Sequence, residues 1–418
     1  LRSLSEWHHA RRGVAVMTFM HIGKNFVPPD VEGKVTGEAK YVEDFKPEGL
    51  VYARLLTSPM PSGRVRSIDA SEALRMDGVL GILTADDLPS SSAPAEPVLA
   101  SEDVTFVGQP ILAVAAISDE IADSAIGRIK IDYEYRPFVT DPLESLVEGG
   151  PNAYPDGNVL QQTNSLEDEN ATIRGGFGTI KWPAGEVERF RNGQEPRNVG
   201  FAGGWTYGDL DTAFAESTTI VEESFVVAGT PHHCMEPRSS MAYWQNGKCY
   251  FYASTQSQSA VVEPLAELLG IAPENLCMIS ENTGGGFGSK GRSYPTMAVT
   301  GRFSQLLNRP VQLRITREEE YYLGVGRPGM QGWVKTGVRA DGTVAAVDLI
   351  IISDGGPTGR NSASSSAQHI SVVYTPTAMR LRNIPVFTNT TPRGAQRGPG
   401  QNEMSAAIAP IMDKAARQ

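Results

Sequence analysis

A glycine-rich loop, residues 284–290 (GGGFGSK), is the segment of this sequence best suited to hold a ligand. Its four glycines leave the backbone free to take left-handed dihedral angles, and no side chain separates their N–H groups from a ligand. Such a loop can hold an anion or an oxo group. An apolar run at residues 276–279 precedes the loop and helical character begins at residue 297, so the sequence predicts a strand-to-helix junction here.

The same loop has two other interpretations. Residues 286–291 match G-x-G-x-x-G, which binds a dinucleotide in a Rossmann fold. Three features argue against that fold: the next acidic cluster lies more than about 20 residues downstream, Pro295 falls in the expected first turn of the helix, and no repeated βαβ pattern precedes the loop. A purely structural glycine turn also remains open. A P-loop is excluded because no glycine precedes Lys290.

Three further clusters contain residue types that bind metals or oxygen atoms. Residues 231–238 (PHHCMEPR) have adjacent histidines, which point to opposite faces of an extended segment and so favour a packed strand end over a metal site. Gln256 follows an apolar strand, and its amide could donate to an oxo or carbonyl oxygen or lie in a solvated turn. Residues 393–401 (RGAQRGPGQ) form either a solvated turn or, with the first glycine loop, a second backbone cradle for one cofactor.

Composition excludes several classes of protein. The chain has 418 residues, of which 40% are hydrophobic, so it is long enough for two or three globular domains. A net charge of −11 argues against nucleic-acid binding. No apolar run approaches the roughly 20 residues of a membrane span. Three scattered cysteines argue against an iron–sulfur or zinc cage within the chain and predict a reducing, cytoplasmic compartment.

The alternation of short strands and helices predicts an α+β fold in four segments. Residues 1–30 are predicted to be an N-terminal extension, whose Arg11-Arg12 pair lacks the apolar stretch and cleavage site of an export signal. Residues 31–145 are predicted to form a compact domain. Residues 146–205, rich in Gly, Pro, Asn and charge, are a linker or an insertion, and residues 206–418 contain both glycine loops. Serine-rich stretches at 90–92 and 362–366 predict turns.

Taken together, these motifs resemble the molybdopterin-binding large subunit of the xanthine dehydrogenase and aldehyde oxidase family. The resemblance runs from about residue 31 to the end of the chain. Segments within 31–145 resemble the hammerhead domain of that family, namely residues 31–41, 51–59 and 106–110. Segments within 206–418 resemble the first half of its molybdenum domain, namely residues 207–214, 235–238, 254–256, 284–290, 310–319 and 394–400.

The resemblance implies a cofactor and a site. The cofactor would be molybdenum held by the dithiolene of molybdopterin or its cytosine dinucleotide, with oxo, sulfido and hydroxide ligands, and it would hydroxylate a carbon with oxygen taken from water. Gln256 would be the catalytic residue, donating a hydrogen bond to a molybdenum oxygen, and no protein ligand to the metal is expected. The cofactor-binding residues would be Gly285, Gly286, Phe287, Gly288 and Arg397. Backbone donors fixed around an oxo group stabilise charge without reorganising.

Departures from the family pattern limit the expected activity. The glutamate base of the family lies in its C-terminal half, beyond Gln418, so we expect a large subunit encoded in two pieces rather than a fragment. Gly291 stands where purine-using members have a glutamate, and Gly398 stands where the carbon monoxide dehydrogenases have a copper-binding cysteine. Gln396 replaces a common aromatic residue, which predicts a more polar pocket.

The expected function is therefore that of a molybdenum-cofactor subunit in a multi-subunit hydroxylase or dehydrogenase. Its substrate would be an aldehyde or an N-heteroaromatic compound. The expected partners are a second chain with the missing half of the molybdenum domain, an iron–sulfur subunit and an FAD subunit. A non-redox hydratase of the same family, a non-catalytic assembly subunit and an NAD-binding dehydrogenase are the alternatives.

Overall fold

The computed structural model describes residues 19–89, 97–160 and 176–418. Of these described residues, those up to Lys40 belong to one compact unit and those from Tyr41 onward belong to another. In the first unit a short helix, α1 (Val31–Thr36), ends at Gly37 in a left-handed conformation with φ 80°. The first 18 residues of the predicted N-terminal extension and the predicted turn at 90–92 lie outside the described residues.

The second unit contains both helices and strands, so the predicted α+β class is confirmed. Its helices are α2 (Ser71–Leu74), α3 (Asp119–Ile126), α4 (Pro142–Leu146), α5 (Ala184–Arg191), α6 (Leu210–Ala215), α7 (Ser259–Leu269), α8 (Thr296–Leu307), α9 (Arg317–Leu323), α10 (Ala363–Tyr374) and α11 (Gln401–Arg417). Its strands are β1 (Val51–Thr57), β2 (Gly63–Asp69), β3 (Val79–Leu83), β4 (Asp103–Val104), β5 (Pro110–Ala116), β6 (Lys130–Tyr135), β7 (Val159–Leu160), β8 (Phe177–Gly178), β9 (Gly203–Tyr207), β10 (Thr219–Val227), β11 (Ser239–Gln245), β12 (Lys248–Ala253), β13 (Leu276–Ile279), β14 (Val311–Arg314), β15 (Met330–Val338), β16 (Val344–Asp354) and β17 (Ala378–Val386).

One sheet joins strands from the N-terminal and C-terminal parts of this unit, in the order β13-β12-β11-β14-β1-β5-β3. The junction is the parallel pair β1 and β14, in which Val51 lies opposite Val311. Helix α8 packs on this sheet because Val299 and Phe303 share a buried core with Val51 and Ala53. Strand β13 pairs in parallel with β12 at one edge of this sheet, and the first glycine loop follows β13.

A second sheet has the order β10-β15-β16-β17-β7-β8, and β9 pairs with β17. Buried residues of α10 and α11, including Ile370 and Ile408, share one core with β15, β16 and β17. A separate core contains Trp333 of β15 together with Trp182 and Phe190. Described residues of the predicted linker or insertion thus pack on this sheet. A smaller sheet has the order β4-β2-β6.

The predicted turn at residues 362–366 is wrong, because these residues begin helix α10. Ala363, Ala367 and Ile370 recur at helical spacing and are fully buried against the second sheet. Burial of that apolar stripe outweighs the modest helix propensity of the serines between its members. In the ranges that the structure describes, no helix combines the length and the hydropathy that crossing a membrane requires.

We predict that Phe303→Ala lowers the free energy of unfolding by about 3–5 kcal/mol, because a fully packed phenylalanine leaves a cavity when it is truncated. Phe303 is 2% exposed in the core that joins α8 to the first sheet. The matched control is Leu306→Ala in the same helix, since Leu306 is 54% exposed and its loss is expected to cost about 0.5 kcal/mol or less. Urea unfolding followed by circular dichroism measures both, and equal effects would contradict the packing described here.

Candidate cofactor site

The first glycine loop connects β13 to α8, which confirms the predicted strand-to-helix junction. Its backbone takes conformations that side chains rarely allow: Phe287 has φ 54° and Gly288 has φ 110°. A Cβ atom on Gly286 would overlap the Gln256 amide, and one on Gly288 would lie 2.5 Å from the carbonyl oxygen of Ala395. Glycine at these two positions therefore allows neighbouring groups to approach the loop backbone closely.

The dinucleotide interpretation does not match this geometry. Helix α8 begins only at Thr296, with Pro295 as its N-terminal capping residue. In a Rossmann fold the glycine motif opens directly into the helix whose N-terminus binds the pyrophosphate. Here residues 289–295 separate the glycines from the helix, so the helix N-terminus does not lie within the motif.

Gln256 lies against the first glycine loop in a fixed orientation. Its Oε1 accepts hydrogen bonds from the N–H groups of Gly288 at 2.8 Å and Lys290 at 3.3 Å. Because a backbone N–H can only donate, the amide oxygen must face the loop and Nε2 must point elsewhere. The side chain is exposed, and Nε2 has no hydrogen-bond partner within the described residues. Gln256 is thus able to donate to a ligand oxygen.

A buried lysine anchors the first glycine loop. The Lys290 side chain is fully buried, and its Nζ donates to the carbonyl oxygen of Glu236 at 2.6 Å and to Ser254 Oγ at 2.7 Å. The Glu236 carboxylate lies 3.7 Å from Nζ and accepts from the N–H of Gly284 at 2.7 Å. Burial lowers the pKa of Lys290, and the nearby Glu236 charge opposes that shift. The two residues fix both ends of the loop.

A second buried ion pair holds the same loop from another side. The Arg238 guanidinium pairs with Glu320 of α9, and the two residues are 2% and 5% exposed. The backbone N–H of Arg238 also donates to Glu320 Oε2 at 2.7 Å, and its Nη2 donates to the carbonyl oxygen of Ser289 at 2.6 Å. The ion pair therefore links α9, the segment before β11 and the glycine loop.

The two adjacent histidines have separate environments, although the segment is not extended at His233. His232 is 7% exposed, and its Nε2 lies 2.8 Å from the carbonyl oxygen of Ala395. His233 has φ 53°, is exposed, and packs edge-on against Tyr321 with the ring centroids 5.4 Å apart. Within the described ranges no group of three or more His, Cys, Asp or Glu side chains could hold a metal ion. The segment leads directly into β11.

Arg327 holds the second glycine loop, residues 393–401. Its Nη1 donates to the carbonyl oxygen of Gly398 at 3.0 Å and to Glu403 Oε2 at 2.6 Å. Its Nη2 donates to the carbonyl oxygen of Arg397 at 2.8 Å, and its Nε donates to Gln396 Oε1 at 2.9 Å. The whole guanidinium is consequently used to shape the loop. The sequence predicted that Gln396 makes the pocket more polar. In the structure its amide oxygen accepts the hydrogen bond from Arg327.

The two glycine loops meet and border one cavity. The N–H of Arg397 donates to the carbonyl oxygen of Phe287 at 2.8 Å, next to the close approach of Gly288 and Ala395. An open cavity of about 530 Å³ lies beside this junction. The residues that line it are His232, Phe287, Arg327, Gln396, Arg397, Gly398 and Asn402. The structure therefore brings together two loops that are more than 100 residues apart in the chain.

The predicted site residues differ in their relation to this cavity. Phe287 and Arg397 line it, and Phe287 is 44% exposed. The lining residues do not include the other predicted site residues, Gly285, Gly286, Gly288 and Gln256. Gly286 lies against Gln256, and Gly288 lies against Ala395. Sequence reasoning missed the roles of Arg327 and Glu403, because no local motif marks two residues that are 76 positions apart. For His232 the sequence favoured a packed strand end over a metal site and did not indicate the contact with the carbonyl oxygen of Ala395.

The lining suits an anionic cofactor with oxygen acceptors. The Arg397 guanidinium is exposed at the cavity and has no partner within the described residues. Outside the lining, the Gln256 Nε2 is a neutral donor beside the first glycine loop. Glycine at position 288 is required by the close approach of Ala395, which keeps the two loops in contact. A pterin cofactor with an anionic phosphate and a metal carrying oxygen ligands matches this set of donors.

Comparison with known proteins assigns the chain to a family. Residues 191–418 match the family described as molybdopterin cofactor-binding domain. Residues 36–137 match the family described as aldehyde oxidase and xanthine dehydrogenase, a/b hammerhead domain. The chain therefore belongs to the molybdopterin-binding family of xanthine dehydrogenases and aldehyde oxidases. Both parts of the resemblance found in the sequence, and the fold it implies, are confirmed.

The chain spans different shares of the length of its curated relatives. It is 29% identical over 399 residues to a probable xanthine dehydrogenase subunit of Bacillus subtilis (strain 168), covering 93% of this chain and 48% of that protein. It is 26% identical to the nicotinate dehydrogenase large molybdopterin subunit of Eubacterium barkeri, covering 92% of this chain and 83% of that subunit. The chain thus spans about half the length of the Bacillus relative and most of the Eubacterium one.

A solved structure shares the fold. Quinoline 2-oxidoreductase from Pseudomonas putida 86 superposes with a TM-score of 0.75 at 23% identity. The superposition covers 95% of this chain and 48% of that one. At this level of identity the likeness concerns the architecture.

We predict that Glu320→Gln lowers the free energy of unfolding by about 3 kcal/mol, because it leaves the Arg238 charge buried without its partner. The substitution preserves size and changes only charge. Glu318→Gln is the matched control, since Glu318 is exposed in the same helix, and its effect is expected to stay within about 0.5 kcal/mol. Urea unfolding distinguishes them. Equal stability of the Glu320→Gln variant and the wild type would mean that the ion pair does not hold the loop.

We predict that Gly288→Ala abolishes cofactor retention, because its Cβ atom would lie 2.5 Å from the carbonyl oxygen of Ala395 at a φ of 110°. Gly291→Ala is the control, since the nearest atom to its Cβ would be 3.4 Å away. The measurement is the molybdenum content of the purified assembly by mass spectrometry. A loaded Gly288→Ala protein would show that contact between the loops is not needed to hold the cofactor.

Proposed function

We propose that the protein is the molybdenum-cofactor subunit of a multi-subunit hydroxylase or dehydrogenase that oxidises an aldehyde or N-heteroaromatic substrate with oxygen derived from water. The observation that supports this most directly is the Gln256 amide, whose oxygen is bonded to the first glycine loop and whose nitrogen remains available. When bound, the molybdenum cofactor supplies the redox centre for that oxidation. The contribution of this chain is to bind and orient the cofactor.

Gln256 is proposed to donate a hydrogen bond to an oxygen of the cofactor. An amide is neutral and keeps its donor character across the physiological pH range. Because two backbone N–H groups fix its orientation, the donor does not have to reorganise when charge develops near it. The loop that orients Gln256 is itself anchored by Lys290 and Glu236.

Arg397 is proposed to bind an anionic part of the cofactor. Its guanidinium is exposed at the cavity, whereas that of Arg327 is already bonded to the second loop. Guanidinium groups bind phosphate through paired hydrogen bonds, and a phosphate of molybdopterin or its cytosine dinucleotide is a suitable acceptor. In this proposal one arginine recognises the cofactor and the other shapes the loop.

An N-heteroaromatic substrate is favoured within the proposed class. The nicotinate dehydrogenase subunit and the quinoline 2-oxidoreductase are both named for rings that contain nitrogen. Gly291 also leaves no carboxylate at the position where purine-using members have a glutamate, which disfavours xanthine. An aldehyde remains within the proposal, because the hammerhead family includes aldehyde oxidases.

The proposal includes partners. One proposed partner is a second chain with the rest of the molybdenum domain and its glutamate base, as the family resemblance implies. An iron–sulfur subunit and an FAD subunit would carry electrons away. We also propose a cytoplasmic location, with which the free thiols of Cys234, Cys249 and Cys277 agree.

We predict that Gln256→Ala lowers kcat by about 10²-fold in the assembled enzyme while molybdenum is retained, because one preorganised donor is lost. Gln258→Ala is the matched control, because that side chain donates to the carbonyl oxygen of Ser280 and does not touch the glycine loop. Turnover is measured with nicotinate, quinoline and benzaldehyde as probes, beside molybdenum content. Unchanged turnover of a loaded Gln256→Ala enzyme, or a wild-type assembly without molybdenum, would overturn the proposal.

A further inference from the structure

His232 borders the cavity but belongs to neither glycine loop. Its Nε2 lies 2.8 Å from the carbonyl oxygen of Ala395. Since a carbonyl oxygen can only accept, Nε2 carries the proton and Nδ1 carries a lone pair. Nδ1 is buried and has no partner within the described residues. The neutral ring therefore donates one hydrogen bond, to the carbonyl oxygen of Ala395.

That acceptor lies at the junction of the two loops. The carbonyl oxygen of Ala395 is the atom that a Cβ on Gly288 would approach to 2.5 Å. Two residues further along, the N–H of Arg397 donates to the carbonyl oxygen of Phe287 at 2.8 Å. A shift of the Ala395 carbonyl would thus alter the contact between the loops directly.

The segment that carries His232 has weaker links to the second loop. Thr230 Oγ1 donates to Gln396 Oε1 at 3.2 Å, and Gln396 Nε2 lies 3.4 Å from the carbonyl oxygen of Pro231. At 2.8 Å the bond from His232 is the shortest of these side-chain links. It is also the one that reaches the point of contact with the first loop.

We propose that His232 is a positioning residue that fixes the second glycine loop against the first and thereby sets the width of the cofactor cavity. The inference rests on the proposed function, because it takes this cavity to be the cofactor site. His232 itself does not need to touch the reacting atoms. Its role is to hold the Ala395 carbonyl.

The charge state of His232 gives this role a pH dependence. Burial lowers its pKa below the ordinary value of 6.5, the hydrogen bond to the Ala395 carbonyl opposes that shift, and the nearby Arg238, Arg327 and His233 lower the pKa further. A protonated ring would also place a second N–H at Nδ1, where no acceptor lies within the described residues. The contribution of His232 to stability is therefore complete above about pH 6.5 and is lost as the pH falls through its lowered pKa.

Hydrogen exchange in the full-length chain tests the proposal without any cofactor. The probe is the Arg397 amide, which is bonded to Phe287. His232→Phe is expected to speed its exchange about tenfold, the effect of losing one hydrogen bond. His233→Phe, in the exposed neighbour, is the control and is expected to leave it unchanged. His232→Gln keeps an amide donor and is expected to restore slow exchange in part.

A second readout uses the assembled complex and its molybdenum and pterin content. Retention by the wild type is expected to fall as the pH is lowered progressively below 6.5, and retention by His232→Gln to be independent of pH over the same range. If His232→Phe does not fold, His232→Gln and the wild-type pH series decide the matter. Equal exchange in the His232 and His233 variants, or the same pH dependence in wild type and His232→Gln, would overturn the role of His232. Fast exchange in His232→Phe with no molybdenum in the wild type would instead contradict the proposed function alone.

Discussion

The site depends on two buried ion pairs beneath the first glycine loop. Lys290 and Glu236 hold one part of the loop, and Arg238 and Glu320 hold the rest through the carbonyl of Ser289. Charges that are removed from water are costly unless they are paired and hydrogen-bonded, so each pair tolerates little displacement of its partner. A loop of glycines has high conformational entropy and would not keep a ligand-binding shape by itself. The ion pairs supply that restraint.

The second loop is restrained by the same principle with different residues. Arg327 is bonded to three positions in it and to the buried Glu403 of α11. Side chains of similar chemistry therefore have different roles. Buried cations shape the backbone, whereas the exposed Arg397 side chain at the cavity has no partner within the described residues. Side chains whose hydrogen bonds are made within the protein position the site, and side chains with unused donors can bind a ligand.

The sequence predicted elements whose pattern is local. The predicted strand at residues 276–279 and the predicted helix from residue 297 follow from local apolar patterns, and the structure contains them as β13 and α8. The glycine loops were recognisable because glycine clusters are rare and indicate backbone conformations that other residues seldom adopt. The roles of Arg327 and His232 were not recognisable from the sequence, because the groups they contact lie far away in the chain. Any other arginine or buried histidine has the same local sequence pattern. The start of helix α10 was predicted as a turn from its serine composition. The helix forms because its apolar residues are buried against the second sheet, which the composition does not show.

We propose above all that the two glycine loops and Gln256 together form one wall of a molybdenum site. Anomalous X-ray diffraction from crystals of the assembled complex, recorded on both sides of the molybdenum absorption edge, tests this most directly. We expect a single molybdenum peak at the cavity between Phe287 and Arg397, on the side to which the Gln256 amide nitrogen points. A peak elsewhere in the chain, or molybdenum bound only by partner subunits with this cavity empty, would contradict the proposal.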